Sequence, residues 1–140
     1  MKTADGIEYD IARIVMPLLD IRGRTYLSDR RNTSDSEDCV VRCITLFNDT
    51  CFQEGVVNIN VYVPHIDNGS RVLEKDSRRV IEIGEMLLSV NNELLKMSPK
   101  MELKRKGYYF TEYEGVQSAV INDKNETIVN NKLSFKYYGI

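Results

Sequence analysis

Hydrolytic or group-transfer chemistry needs a nucleophile, a base within reach and a group that orients the base. The sequence supplies a single histidine, His65, for the second role. It follows Pro64 in a segment of turn character, so a turn residue is the plain reading and a catalytic base the remote one. The three cysteines are Cys39, Cys43 and Cys51. An odd count at these spacings fits neither a disulfide framework nor a CxxC metal knuckle, and points to small buried apolar residues. Cys39 and Cys43 have the same parity within one expected strand and so share a face. Glycines 6, 23, 55, 69, 84, 107, 115 and 139 are scattered and build neither a P-loop nor a dinucleotide fingerprint.

Two charged clusters remain. Asp35, Glu37 and Asp38 read as a solvated loop, as a patch that answers a basic surface on a neighbouring subunit, or, without EF-hand spacing, as a Ca²⁺ site. The basic run Lys100, Lys104, Arg105 and Lys106 precedes Tyr108-Tyr109-Phe110. Basic and aromatic residues on a sheet can stack single-stranded nucleic acid, although the RNP pattern is missing. The plainer reading is a solvated strand start leading into a half-buried, tyrosine-rich strand. No convergent catalytic set emerges, so the expectation is a protein that is not an enzyme and takes no cofactor and no metal.

The elements that must position these residues follow from patterning. A chain of 140 residues fits a single domain, 1–140. Its hydrophobic fraction of 42% and charged fraction of 29% are ordinary for a soluble protein. The net charge of −2 gives no global pull toward nucleic acid. Neither a membrane-spanning run nor a secretory signal is visible, so folding in a cytoplasm is expected.

Ile7, Ile11, Ile14, Val15, Leu18 and Leu19 trace one face of a helix from Ile7 to Leu19, with Asp5 as its cap and Pro17 bending or ending it. A short strand over Ile21 to Ser28 leads to the polar loop Asp29 to Asp38. Cys39 to Phe47 and Val56 to Val63 are strands joined by the hairpin connection Asn48 to Gly55. In the second, Val57, Ile59, Val61 and Val63 alternate with Asn58, Asn60 and Tyr62, which gives one buried and one open face. A second helix spans Lys75 to Lys96, capped by Asp76 or Ser77. Its expected buried stripe is Val80, Ile81, Gly84, Leu87, Leu88 and Leu95, with Gly84 allowing a close approach to the sheet. Leu103 to Tyr113, Val116 to Asn122 and Ile128 to Tyr138 are the closing strands. The order α-β-β-β-α-β-β-β predicts an α+β fold, an antiparallel or mixed sheet with two helices on one face. Many strand edges and a tyrosine-rich last third suit a chain completed by neighbouring copies.

Ser34-Asp35-Ser36-Glu37-Asp38-Cys39-Val40-Val41, followed by Gln53-Glu54-Gly55-Val56-Val57-Asn58-Ile59-Asn60-Val61-Tyr62-Val63-Pro64, resembles a pair of segments in the tail-terminator (tail-completion, head–tail joining) proteins of tailed bacteriophages. In these a polar loop ends "S-x-x-E-D" before a strand, and a second strand reads "V-N-V-N-V-Y-V-P". The aromatic and basic close Leu133-Ser134-Phe135-Lys136-Tyr137-Tyr138 is similar as well, so the likeness covers roughly residues 5 to 138. The family often has a proline after the loop arginine, where this chain has Arg31-Asn32.

The resemblance implies a virion structural protein that closes into a ring, commonly a hexamer. Such a ring caps the head-proximal end of the tail tube and meets the head connector or neck proteins. It implies the tail tube protein as a partner, DNA only as cargo through the pore, and no membrane. Expected subunit or partner contacts are Arg30, Arg31, Glu37 and Asp38 in the loop, Asp49, Gln53 and Glu54 in the hairpin, and Tyr108 and Tyr137 in the tyrosine-rich part. The alternatives are a head-completion or neck adaptor or minor tail protein of similar fold, and, further off, a single-stranded nucleic-acid-binding module.

Overall fold

The computed structural model describes residues 1–29, 36–67, 69, 72–96, 107–122 and 124–138. Arg30, Arg31 and Asp35 of the polar loop, the basic run at 100–106 and the expected strand start at 103–106 lie outside the described residues.

Helix α1 (Ala4–Val15) buries Ile7, Ile11 and Val15, the face that the steps of four had marked. Its cap is Thr3 rather than Asp5. The Thr3 hydroxyl accepts the Gly6 N–H at 3.1 Å, and Asp5 sits in the first turn, where a negative charge meets the positive end of the helix dipole. Pro17 does end the α-helix, which tightens into a 3₁₀ turn over Met16–Leu18.

Strands β1 (Thr25–Leu27), β2 (Asp38–Asn48), β3 (Gln53–Pro64), β4 (Tyr108–Ile121) and β5 (Glu126–Tyr137) form one sheet in the order β1-β2-β3-β5-β4. The β1–β2 pair is parallel and the others are antiparallel, so the sheet is mixed. The fold is α+β with both helices on one face. The expected strands at 103–113 and 116–122 run on as the single strand β4, because a break in period there is absorbed by irregular register between Glu112 and Gly115 and again between Gln117 and Val120.

Val57, Ile59, Val61 and Val63 of β3 join Val129, Leu133, Phe135 and Tyr137 of β5 on the inner face, beneath the two helices. The opposite face carries Val56, Asn58, Asn60 and Tyr62 of β3 and Asn130, Lys132 and Ser134 of β5, all half-buried. Among the described residues no helix covers it.

Helix α2 (Ser77–Lys96) starts where Asp76 accepts the Arg79 N–H at 3.2 Å, as expected of an N-cap. Its buried stripe corrects the sequence reading. Ile83, Leu87, Val90 and Leu94 face the core, while Ile81 and Leu88 are 61% and 52% exposed. Gly84 does not serve close helix–sheet packing, since a Cβ built there meets nothing within 4 Å. Glycine inside a helix costs about 0.5–1 kcal/mol relative to alanine. Gly84→Ala is therefore expected to stabilise the single subunit by about that much, read as a rise in melting temperature. The helix is pinned to the sheet by Asn91 and Asn131, whose buried amides exchange two hydrogen bonds of 2.9 Å.

A bulge decides which way the β2–β3 hairpin faces. Between Cys43 and Thr45 the register shifts by one, so Ile44 has no partner and parity reverses. Leu46 then packs on the core and Phe47 turns to the open face, opposite Glu54. Gly55 makes this possible. A Cβ there would lie 2.0 Å from the Thr45 carbonyl oxygen, which is backbone and cannot swing away. Gly55→Ala is expected to cost about 1–3 kcal/mol, or more if the bulge cannot shift, measured by urea unfolding.

Candidate assembly surface

Five of the expected contact residues are internal in the single chain, and this corrects the sequence reading. Glu37 is 2% exposed. It holds the Arg79 guanidinium in a fork, with Nη2 donating to Oε1 at 2.7 Å and Nε donating to Oε2, and it accepts the Arg22 N–H at 3.2 Å. Burial pushes its pKa up, but the Arg79 hydrogen bonds and charge together with the Arg22 N–H outweigh that and hold it below the ordinary value. Asp38, equally buried, accepts the Arg24 N–H at 3.1 Å. Together these carboxylates fix the chain entering β2 onto α2 and onto the segment before β1. Gln53 brackets residue 2 with its amide, accepting the Lys2 N–H at 2.8 Å and donating to the Lys2 carbonyl at 2.9 Å. Tyr108 is fully buried and donates to Asp10 Oδ2 at 2.7 Å, and its ring stacks on Tyr137 at 4.6 Å between centroids. Burial first, and then the bond given to Asp10, hold the Tyr108 hydroxyl well above the usual phenol range.

Asp49 and Glu54 are exposed, as a contact role requires. Asp49 accepts the Thr50 N–H at 2.6 Å and so shapes the hairpin tip. The tip also carries Cys51, which is exposed, contrary to the expectation of three buried thiols. Cys39 is pushed up to about 12 by burial and by Asp38, and Cys43 to about 11 by burial and by Glu8. Thiol titration of the native protein at pH 8 is therefore expected to find Cys51 fast and the other two slow until unfolding, because the thiolate is the reactive form.

What the structure does gather is an aromatic and charged patch on the open sheet face, at the hairpin end. The tyrosine pairs split by parity: Tyr108 and Tyr137 point inward, Tyr109 and Tyr138 outward. Tyr138 lies 5.5 Å from Phe52 and makes an edge contact with Tyr109 at 5.2 Å, with the Lys136 ammonium 5.0 Å over the Phe52 ring. Beside them is a groove of about 300 Å³ walled by Phe47, Glu54, Val56, Thr111, Ser134 and Lys136, with Gly55 and Phe135 in its floor. Phe47 is 64% exposed. Exposed aromatic rings are what protein interfaces concentrate at their centre, with charges such as Glu54 and Lys136 suited to the rim. Which of these aromatic residues face outward was not legible in the sequence, since choosing between Tyr108 and Tyr109 needs the strand's facing and placing Phe47 needs the bulge.

A second, smaller cleft of about 180 Å³ lies between Arg22, Ser36, Glu37, His65 and Asp76. Its acids and its histidine are engaged: Glu37 with Arg79, Asp76 with the Arg79 N–H, and His65 Nε2 with Thr127 Oγ1 at 3.0 Å. Among the described residues, no group of three metal-ligating side chains converges. No helix among them is long and apolar enough to cross a membrane. No family model matches the chain, and no curated protein matches it significantly.

Proposed function

We propose that the chain is a ring-forming structural subunit of the tail-terminator type, capping the head-proximal end of a phage tail tube and meeting the head connector. The observation that carries this reading is the open sheet face, whose aromatic patch at the hairpin end suits cover by a neighbouring subunit. The segment wording of β2 and β3 supplies the family comparison, and the ring is the closed form of head-to-tail contact. Strand β3 is the central strand, paired with β2 on one side and β5 on the other, so the hairpin tip and the end of β5 come together at one end of that face. The partners in this reading are other copies, the tail tube protein and the neck proteins.

Native mass spectrometry with electron microscopy of the purified protein tests it. A discrete closed oligomer, hexameric by the family comparison, is expected. A monomer at every concentration, with no copy in purified particles, overturns it. A ring that binds the connector but not the tube would move the reading to the neck adaptor of the same class.

Tyr109, Tyr138 and Lys136 on one sheet face favour a second reading, a platform for single-stranded nucleic acid. Glu54 directly opposite Lys136 in register and the net charge of −2 weigh against it. Salt-sensitive oligonucleotide binding would support it, and no binding at low salt would dismiss it.

A further inference from the structure

Gln53 is a buried amide whose hydrogen bonds run in two directions. It opens β3 and is 2% exposed. Toward the start of the chain, Oε1 accepts the Lys2 N–H at 2.8 Å and Nε2 donates to the Lys2 carbonyl at 2.9 Å. One side-chain amide thus meets both main-chain groups of residue 2, as the backbone of a neighbouring strand would. Toward the hairpin, the same Nε2 donates to Asn48 Oδ1 at 2.7 Å. Asn48 and Gln53 are the last pair of the β2–β3 register, so the tip, residues 49–52, hangs from them.

Residue 2 is held from the helix side as well. The Lys2 ammonium pairs with Asp10 of α1 and lies over the Tyr137 ring, and the next residue, Thr3, caps the helix. Residues 1–3 therefore run from the start of α1 to the root of the hairpin. Bonds within the tip are local: Asp49 donates its N–H to the Phe52 carbonyl at 2.8 Å, and Thr50 donates its own to Asp49 Oδ1. Phe52 leaves the tip to meet Tyr138 and Lys136 in the patch of the open face.

We propose that residues 1–3 are a strap that sets the pose of the hairpin tip, with Lys2 a positioning residue that acts through Gln53 and Asn48. The strap lies on the helix side of the sheet, and what it positions is Phe52, on the side that the helices leave bare. Its effect on assembly rests on the ring reading, whereas the strap itself belongs to the single chain.

Two variants at one position isolate the seat on Gln53. Lys2→Met loses the ammonium and keeps both main-chain groups. Lys2→Pro loses the ammonium and the N–H that Gln53 accepts. Both forfeit the pairing with Asp10, so their melting temperatures are expected to be close. Limited chymotrypsin cleavage after Phe52, followed by mass, reads the local opening of the tip under native conditions. Lys2→Pro is expected to be cut there about fivefold faster or more than Lys2→Met, the share of one hydrogen bond whose buried acceptor is left without a donor. Gln53→Met severs the relay at its middle and is expected to be cut at least as fast as Lys2→Pro. Equal rates for Lys2→Met and Lys2→Pro overturn the strap, even where Gln53→Met is cut faster, because the bond to Asn48 alone then holds the tip. Rates that merely follow the melting temperatures overturn it too. In native mass spectrometry, Lys2→Pro is expected to associate more weakly than Lys2→Met. A wild-type protein that never assembles removes the ring reading and leaves the cleavage comparison to decide the strap.

Discussion

Replacing Glu37 by lysine should lower stability by about 3–5 kcal/mol, because it leaves the Arg79 guanidinium facing a like charge in a site shut off from water. The Glu37 side chain is 3% exposed and that of Arg79 16%, and the one carboxylate Arg79 would keep is the half-exposed Glu82 at 3.0 Å. For a domain of this size such a loss corresponds to a melting temperature lower by roughly 10–20 °C. The Arg22 N–H loses its acceptor in the same step. Glu37→Gln keeps shape and one acceptor and should cost less. The pair also makes a pH signature. The folded-state pKa of Glu37 lies below its unfolded value, so its contribution is complete above about pH 4.5 and disappears as pH falls through the folded-state value. The gap in melting temperature between wild type and Glu37→Gln should hold near neutrality and narrow on acidification below the ordinary carboxylate range. A gap independent of pH would separate Glu37 from that linkage. A Glu37→Lys protein that melts normally but fails to assemble would restore Glu37 to the surface role read from the sequence.

How far the sequence could be read depends on which periodicity a residue obeys. Strand β3 alternates without interruption, and its inner valines and outer asparagines were legible residue by residue. The same held for β5, where Leu133, Phe135 and Tyr137 face inward against Lys132, Ser134 and Lys136. Strand β2 defeats the rule at Ile44, because one unpaired residue reverses every side chain after it, and composition does not distinguish Phe47 inward from Phe47 outward. In α2 a buried and an exposed apolar stripe overlap on a helical projection, so Ile81 and Leu88 merged with Leu87 into one broad face. Only the sheet's position selects which stripe is covered. The buried acids failed for another reason. Glu37 and Asp38 stand in a polar run that reads as solvent-facing, and their partners Arg79 and the Arg24 N–H are set by tertiary structure. Long-range ion pairs leave no local signal. Glu8 is the same case within α1, its carboxylate accepting the Cys43 N–H at 2.8 Å across to β2.

Tyr108 and Tyr109 are adjacent and chemically identical, yet their alanine variants should behave in opposite ways. Tyr108 fills the core beside Phe110, Phe135 and Tyr137, with ring centroids 6.4, 6.2 and 4.6 Å away. Its removal takes out a large buried ring, for which about 3–5 kcal/mol is typical. It also withdraws the hydroxyl donor from Asp10, which is left with the Lys2 ammonium. Lys2 itself is placed by Gln53 and sits 5.3 Å over the Tyr137 ring, so Tyr108→Ala loosens the attachment of residue 2 to β3 and β5 together with the core. Tyr108→Phe isolates the hydroxyl and should cost about 1.5–3 kcal/mol, the range for a hydrogen bond to a charged group. Tyr109, half-buried on the open face, makes an edge contact with Tyr138 there. Tyr109→Ala should change stability by about 1 kcal/mol or less, in line with the worth of one aromatic pair, while weakening subunit association. Equilibrium unfolding and native mass spectrometry on the two variants give the comparison. Equal loss of stability at both positions would mean that Tyr109 belongs to the fold and the open face is no interface. Loss of assembly at Tyr109 with stability retained would place the interface on the side of the sheet that the helices leave bare.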